Sequence, residues 1–291
     1  GFSTDIMCYN PKDIIVYLKG LLAGMSSPQM TLEPYYRGFG GKIIKVSSHK
    51  YLIKGVYEVV DKNSITIKEL PVGTWTDDYK AFLEKEIDSS KKMVKEYVDM
   101  STDKKVAFTI KFHQGVLEKL ESTKIDDHIN GVEKQMKLVS SHSISNMYLF
   151  DADDKLRKYE CVEDIVKDYY KTRVKMYRER IDYIVGVLEK ELQLLSNKAR
   201  YITETLEGTI DLRRKKKQEI IDLLVSKNYD ILDDDTEFKY LVKMPMDSVS
   251  EENVEKIMKQ KGEKESELKT YQHMKPTELW LSELKSLESM L

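Results

Sequence analysis

The sequence predicts an α+β protein. A mixed domain with antiparallel strands comes first, followed by a long antiparallel two-helix coiled-coil arm with a small helical knob at its tip. Three observations carry this prediction. Runs rich in β-branched residues, partly alternating with polar ones, crowd residues 42–112. Apolar residues then recur every three or four positions from Val162 to Leu206, with no proline between them. A second helical run opens at Ser250 and lasts until Pro276.

The elements follow in order. Asn10-Pro11 leads into a helix whose apolar face is Ile14, Ile15, Leu18, Leu21 and Leu22. Gly38-Phe-Gly-Gly punctuates the chain. Residues 42–46, 51–60 and 64–70 read as an antiparallel meander, with Asp61-Lys-Asn as a hairpin turn. Pro71 ends the last strand, and a polar loop presents Trp75 between the hydroxyls of Thr74 and Thr76. A second segment opens polar at about Lys91 and becomes strand-like, with Val106, Phe108, Ile110 and Phe112 on one face. Residues 114–122 read as a short helix, 137–146 as a hydroxyl-rich stretch and 147–151 as a short strand.

From Val162 to Leu206 only Gly186 weakens the helical pattern, which gives a rod of roughly 65–70 Å. So polar a helix is stable only if its stripe packs on a partner. The run opened by the cap signature Ser250-Glu-Glu-Asn supplies one, through Val254, Ile257, Met258, Leu268 and Tyr271. A short helix with Leu279, Trp280, Leu284 and Leu287 closes the chain. Between the long helices lie apolar clusters around the acidic turn Asp233-Asp-Asp. The expected divisions are 1–158 for the mixed domain, 159–206 and 250–291 for the arm, and 207–249 for the knob.

Composition bounds the function. The 291 residues suffice for a sizeable core and more than one domain. Lys+Arg 48 against Asp+Glu 50 gives a net charge of -2, so the sum argues against a nucleic-acid partner and the distribution has to decide. No apolar run reaches the roughly 18 residues of a membrane span, and no signal peptide is recognisable. Two scattered cysteines, Cys8 and Cys161, fit a reducing compartment. Gly1 in place of an initiator Met fits a chain trimmed or cut from something longer.

Few residues assemble into chemistry. The five histidines show no metal-ligand spacing, and no glycine-rich phosphate loop occurs. Asp233-Asp-Asp and Asp151-Ala-Asp-Asp lack a calcium-loop pattern and read as solvated loops. No nucleophile–base set is present, so neither a catalytic nor a metal-binding residue is expected. Nucleic-acid contact is better supported. Thr74, Trp75 and Thr76 could lie along a duplex backbone, although a Trp after a strand is also a common core residue. Lys137, Ser140, Ser141, Ser143 and Asn146 suit phosphate contacts without base reading, and equally suit a polar loop. The basic run at 213–217 reads as a solvated face near the tip.

Several ordered motifs add to this. They are Gly1-Phe-Ser-Thr-Asp-Ile with Asn10-Pro11, Tyr35-Tyr-Arg-Gly-Phe-Gly-Gly, Glu69-Leu-Pro through Trp75-Thr76, and Lys137-Leu through Asn146-Met147. Leu149-Phe-Asp, Lys158-Tyr159, Tyr169-Tyr170, Arg173, Tyr177 and Arg180 come next, then Tyr240-Leu-Val-Lys-Met-Pro and Glu278-Leu-Trp. Together they resemble the type IIA DNA topoisomerases of eukaryotes and large DNA viruses, over essentially the whole chain. The resemblance implies the tower and coiled-coil part of such an enzyme, which passes one duplex through a transient double-strand break. It implies double-stranded DNA as partner, held by Trp75 and the 137–146 stretch. It also implies a homodimer through an exit gate in the knob, at Tyr240, Leu241 and Met244, and no membrane. Magnesium and ATP would serve other parts of the full enzyme. The setting implied is intracellular, either the nucleus or, for a viral protein, the host cytoplasm or replication site.

Departures also matter. Relatives often place Arg where Gly73 stands, and the knob is short. The nucleophilic tyrosine, the metal-binding domain and the ATPase are not recognisable; none of Tyr9, Tyr35 or Tyr36 fits the nucleophile's motif. Alone, this part should therefore be inactive. The alternative from another class is a non-enzymatic coiled-coil DNA-binding or scaffold protein.

Overall fold

The computed structural model describes residues 3–90 and 92–291. Gly1 and Phe2, which belong to the first resemblance motif, and Lys91, the expected start of the second segment, lie outside the described residues. The chain forms two compact units, one of residues up to Tyr169 together with Leu291, the other Tyr170–Met290.

In the first unit, α1 (Pro11–Leu22) starts at the expected turn. Asn10 Oδ1 accepts the Lys12 N–H at 3.0 Å, and Pro11 takes the first helical position. Four strands follow, β1 (Lys42–Ser47), β2 (Lys50–Lys54), β3 (Val56–Asp61) and β4 (Ser64–Glu69). Then come α2 (Thr76–Ile87), β5 (Val94–Asp99), β6 (Phe108–Phe112), α3 (Val116–Ser122), α4 (Gly131–Gln135), β7 (Val139–Ser143), β8 (Tyr148–Phe150) and β9 (Leu156–Lys158). Helix α5 (Val162–Leu206) begins in this unit and continues into the second.

The expected meander is two sheets. One has the order β1-β2-β7 and the other β3-β4-β6-β5, both antiparallel, while β8 and β9 pair separately. The run at 51–60 breaks at Gly55, and its halves join different sheets. Gly55 N–H donates to the Leu138 carbonyl at 2.9 Å, and a Cβ on Gly55 would lie 2.3 Å from the Glu69 carbonyl oxygen. Only a residue without a side chain permits so close a backbone crossing. In the second sheet Ile65 pairs with Ile110 and Ile67 with Phe108, all fully buried. Tyr79 and Leu83 of α2 pack into the same core with Met136 and Leu138. Each such burial is worth about 1.5–3 kcal/mol.

The second unit adds α6 (Lys217–Ser226), α7 (Lys239–Val242), a 3-10 turn at Met246–Ser248, α8 (Glu251–His273) and α9 (Pro276–Met290). Ser250 Oγ accepts the Asn253 N–H at 3.3 Å and caps α8. Ile202 clusters with Ile257, Glu191 pairs with Lys264 at 3.0 Å, and Arg180 pairs with Glu283 at 2.9 Å. Partner numbers rise as α5 numbers fall, so α5 runs antiparallel to α8 and α9. Trp280 stacks on Tyr170 and Tyr177, with ring centroids 5.6 and 5.5 Å away. The segment after α5 packs with Tyr201 of α5 into a core of Ile210, Leu224, Tyr229, Phe238 and Leu241.

Candidate nucleic-acid interface

Trp75 is not a core residue: it is 74% exposed. The local sequence explains its position. Thr74 N–H donates to the Pro71 carbonyl at 3.0 Å, and Gly73 has φ +86°. This is a type II turn, whose third position needs the left-handed region that glycine tolerates. An arginine at position 73 would be strained in this turn. Trp75 then occupies the N-cap of α2 without a side-chain capping bond, and its carbonyl accepts the Tyr79 N–H at 2.9 Å. The cap position therefore leaves the indole in solvent. Thr76 is exposed beside it and Thr74 is half-buried.

The same helix reaches the second predicted contact. Tyr79 Oη donates to the Met136 carbonyl at 2.6 Å, and burial raises the hydroxyl's pKa far above the usual tyrosine range. The ammonium of the next residue, Lys137, lies 4.3 Å from the centre of the Phe82 ring. Trp75 and Phe82 are seven positions apart, roughly 10 Å along the helix. Lys137 itself is exposed, with φ 50°.

The hydroxyl-rich stretch is largely strand β7, at the edge of the first sheet. Alternation along a strand separates its side chains. Ser141 and Ser143 are exposed, and Ser143 Oγ lies 2.8 Å from Ser145 Oγ. Ser140 lies on the other face. Its Oγ is sealed from solvent with no partner among the described residues, so it does not offer a phosphate contact. Asn146 is also diverted. Its Nδ2 donates to Ser3 Oγ at 3.2 Å and its carbonyl accepts the Asp5 N–H at 2.9 Å, tying down the start of the chain. His142 Nδ1 lies 3.4 Å from Asp5 Oδ2. The structure thus brings Trp75, Thr76 and Lys137 to one helix, keeps Ser141 and Ser143 exposed, buries the Ser140 hydroxyl, and ties the half-buried Asn146 to Ser3.

In the second unit the expected interface residues look inward. Leu241 has 0% exposure inside the knob's core, and Met244 packs against that core and against the Ile202–Ile257 cluster. Tyr240 Oη donates to the Asp230 carbonyl at 2.7 Å. Burial, then Asp230 and Asp235, push this hydroxyl up to about 12. Leu241 is thus a core residue of this segment, whereas Ile231 and Val242 nearby are exposed. The basic run is partly neutralised. Arg213 grips Asp211 with two bonds of 2.9 and 3.0 Å, holding that carboxyl down at about 2, and Lys217 pairs with Glu237. Among the described residues no group of three or more His, Cys, Asp or Glu is placed to hold a metal ion, and no helix is long and apolar enough to cross a membrane.

The first unit thus carries an exposed indole at the start of α2, a cation over Phe82 of the same helix and an edge strand of serines, and sequence and structure comparison identify the class. The family profile for the DNA gyrase/topoisomerase IV A subunit matches residues 1–285, and the chain belongs to that family. It is similar to DNA topoisomerase 2 of Plasmodium falciparum, 31% identical over 100% of this chain and 22% of the relative. The DNA topoisomerase-like protein cin-4 of Caenorhabditis elegans is 30% identical over 100% of this chain and 40% of its own length. DNA topoisomerase 2 of Acanthamoeba polyphaga mimivirus is 30% identical over 98% and 27%. Among solved structures, the DNA-binding, cleavage and re-ligation domain of Plasmodium falciparum topoisomerase II superposes with a TM-score of 0.84 at 30% identity, over 99% of this chain and 42% of that one. The chain thus spans less than half the length of each of these relatives.

Proposed function

We propose that this chain is the DNA-gate flank and exit-gate arm of a type II DNA topoisomerase, an enzyme that passes one duplex through a transient double-strand break. Residues 1–158 would be the tower that holds gate DNA. Residues 159–206 and 250–291 would form the antiparallel coiled-coil arm, and 207–249 the knob through which two copies meet symmetrically. The observation that carries the DNA-holding role is Trp75, 74% exposed at the start of the helix that also seats Lys137. An indole and hydroxyls laid along a sugar–phosphate backbone position a duplex without reading its sequence. The described residues offer no donor set that fits magnesium. In this reading, metal and ATP would act elsewhere in a complete enzyme.

Duplex binding by the chain tests the reading. The logarithm of the affinity should fall linearly with the logarithm of salt concentration, as released counterions require. A flat salt response would replace DNA with an uncharged or protein partner.

A further inference from the structure

The Trp75 turn forms one side of a recess of about 400 Å³, and a second turn lines it. In that second turn Phe39 N–H donates to the Tyr36 carbonyl at 3.2 Å, and Gly38 has φ +83°. It is again a type II turn, with Arg37 at its first corner. The two turns are tied together, because Gly40 N–H donates to Glu69 Oε2 at 3.2 Å. Glu69 is the one carboxylate lining the recess, and that bond engages it. Arg37 is exposed, and among the described residues no ion pair or hydrogen bond holds its guanidinium.

We propose that Arg37 is a phosphate-contacting residue of this surface, gripping the duplex backbone from the recess that Trp75 rims. The inference rests on the DNA-holding role of Trp75 and deepens it. A guanidinium presents five donors in a planar fork that matches two phosphate oxygens at once, which a lysine ammonium cannot do. The rigid turn presents it at little cost in backbone entropy, and the neighbouring indole offers an apolar face to the adjoining sugar. Arg37 thus supplies the full, uncommitted positive charge that the turn carrying Trp75 lacks. The first turn of α2 makes that charge matter, because Asp77 and Asp78 there repel phosphate. The contact is to backbone alone, so it is indifferent to sequence.

The test is fluorescence anisotropy of the whole chain with a labelled duplex, over salt from about 50 to 200 mM. Arg37→Gln should lower affinity about threefold to tenfold and reduce the salt slope by about 0.9, equally for unrelated duplex sequences. Arg37→Lys should restore the slope while recovering only part of the affinity. Melting temperatures should stay close to the wild-type value, since Arg37 is exposed. If Trp75→Ala weakens binding while Arg37→Gln leaves affinity and slope at wild-type values, the Arg37 contact is refuted and the DNA-holding role survives. If the wild-type chain shows no salt-dependent duplex binding, the DNA-holding role itself fails.

Discussion

Trp75 and Leu241 are both apolar residues that the sequence points to as contact residues, and they end in opposite environments. Trp75 follows a proline-terminated strand through a glycine turn, and the next residue starts a helix. A side chain at that junction belongs to neither the sheet's inner face nor the helix's buried stripe, so it stands in water. Leu241 sits in a one-turn helix after Phe238, and both complete the core of a small helical segment. A motif shared with a family says that a residue matters. Local geometry decides whether it touches a partner or supports the part that does.

That contrast can be broken experimentally. The largest effect should come from Leu241→Asp, which places a carboxylate in the knob's core and should cost about 3–5 kcal/mol. Amide exchange around Leu224 and Phe238 should accelerate with it. A variant that stays folded but loses self-association would return Leu241 to an interface. Gly55→Ala should cost about 2–4 kcal/mol in a denaturant titration, because its Cβ would collide with the Glu69 carbonyl.

Alkaline pH should loosen the knob next. The Tyr240 hydroxyl is raised from 10.0 to about 12, so its contribution is complete below pH 10 and is lost as pH rises through about 12. Near-ultraviolet circular dichroism should report the loss, and Tyr240→Phe should reduce it, with Tyr201 and Tyr229 of the same core still titrating at high pH. Ile231→Asp should leave stability within about 0.5 kcal/mol, because Ile231 is exposed. If the knob joins two copies, light scattering should give the wild type a mass near twice 34.0 kDa and this variant a smaller one. Trp75→Ala should perturb the fold least, again by no more than about 0.5 kcal/mol, while weakening duplex binding about tenfold.

The long helix was legible to its last residue, because nothing interrupts an apolar stripe from Val162 to Leu206. Strands β4 and β6 were legible as strands, the second through the alternation of Phe108, Ile110 and Phe112, but their pairing across about forty residues was not. The break at Gly55 was not. A glycine within a β-branched run looks like a weak point in one strand, and only the close approach of Glu69 makes it a crossing between sheets. Helix α2 also escaped, because only Tyr79 and Leu83 of its twelve residues are buried and no capping side chain announces it. Asp77 and Asp78 in its first turn were the available signal. In the contact stretch, composition suggested the serines, but alternation along β7 separates Ser140 from Ser141 and Ser143, which composition cannot show. The recess holding Arg37 joins residues about thirty positions apart, beyond any local pattern.

The most direct test uses the chain's two tryptophans. Trp280 is stacked and only 3% exposed, so a collisional quencher such as acrylamide reports Trp75 almost alone. Saturating duplex should protect most of the quenchable emission, and Trp75→Phe should abolish the effect. Unchanged quenching at saturating duplex would contradict the assignment of Trp75 to the DNA surface.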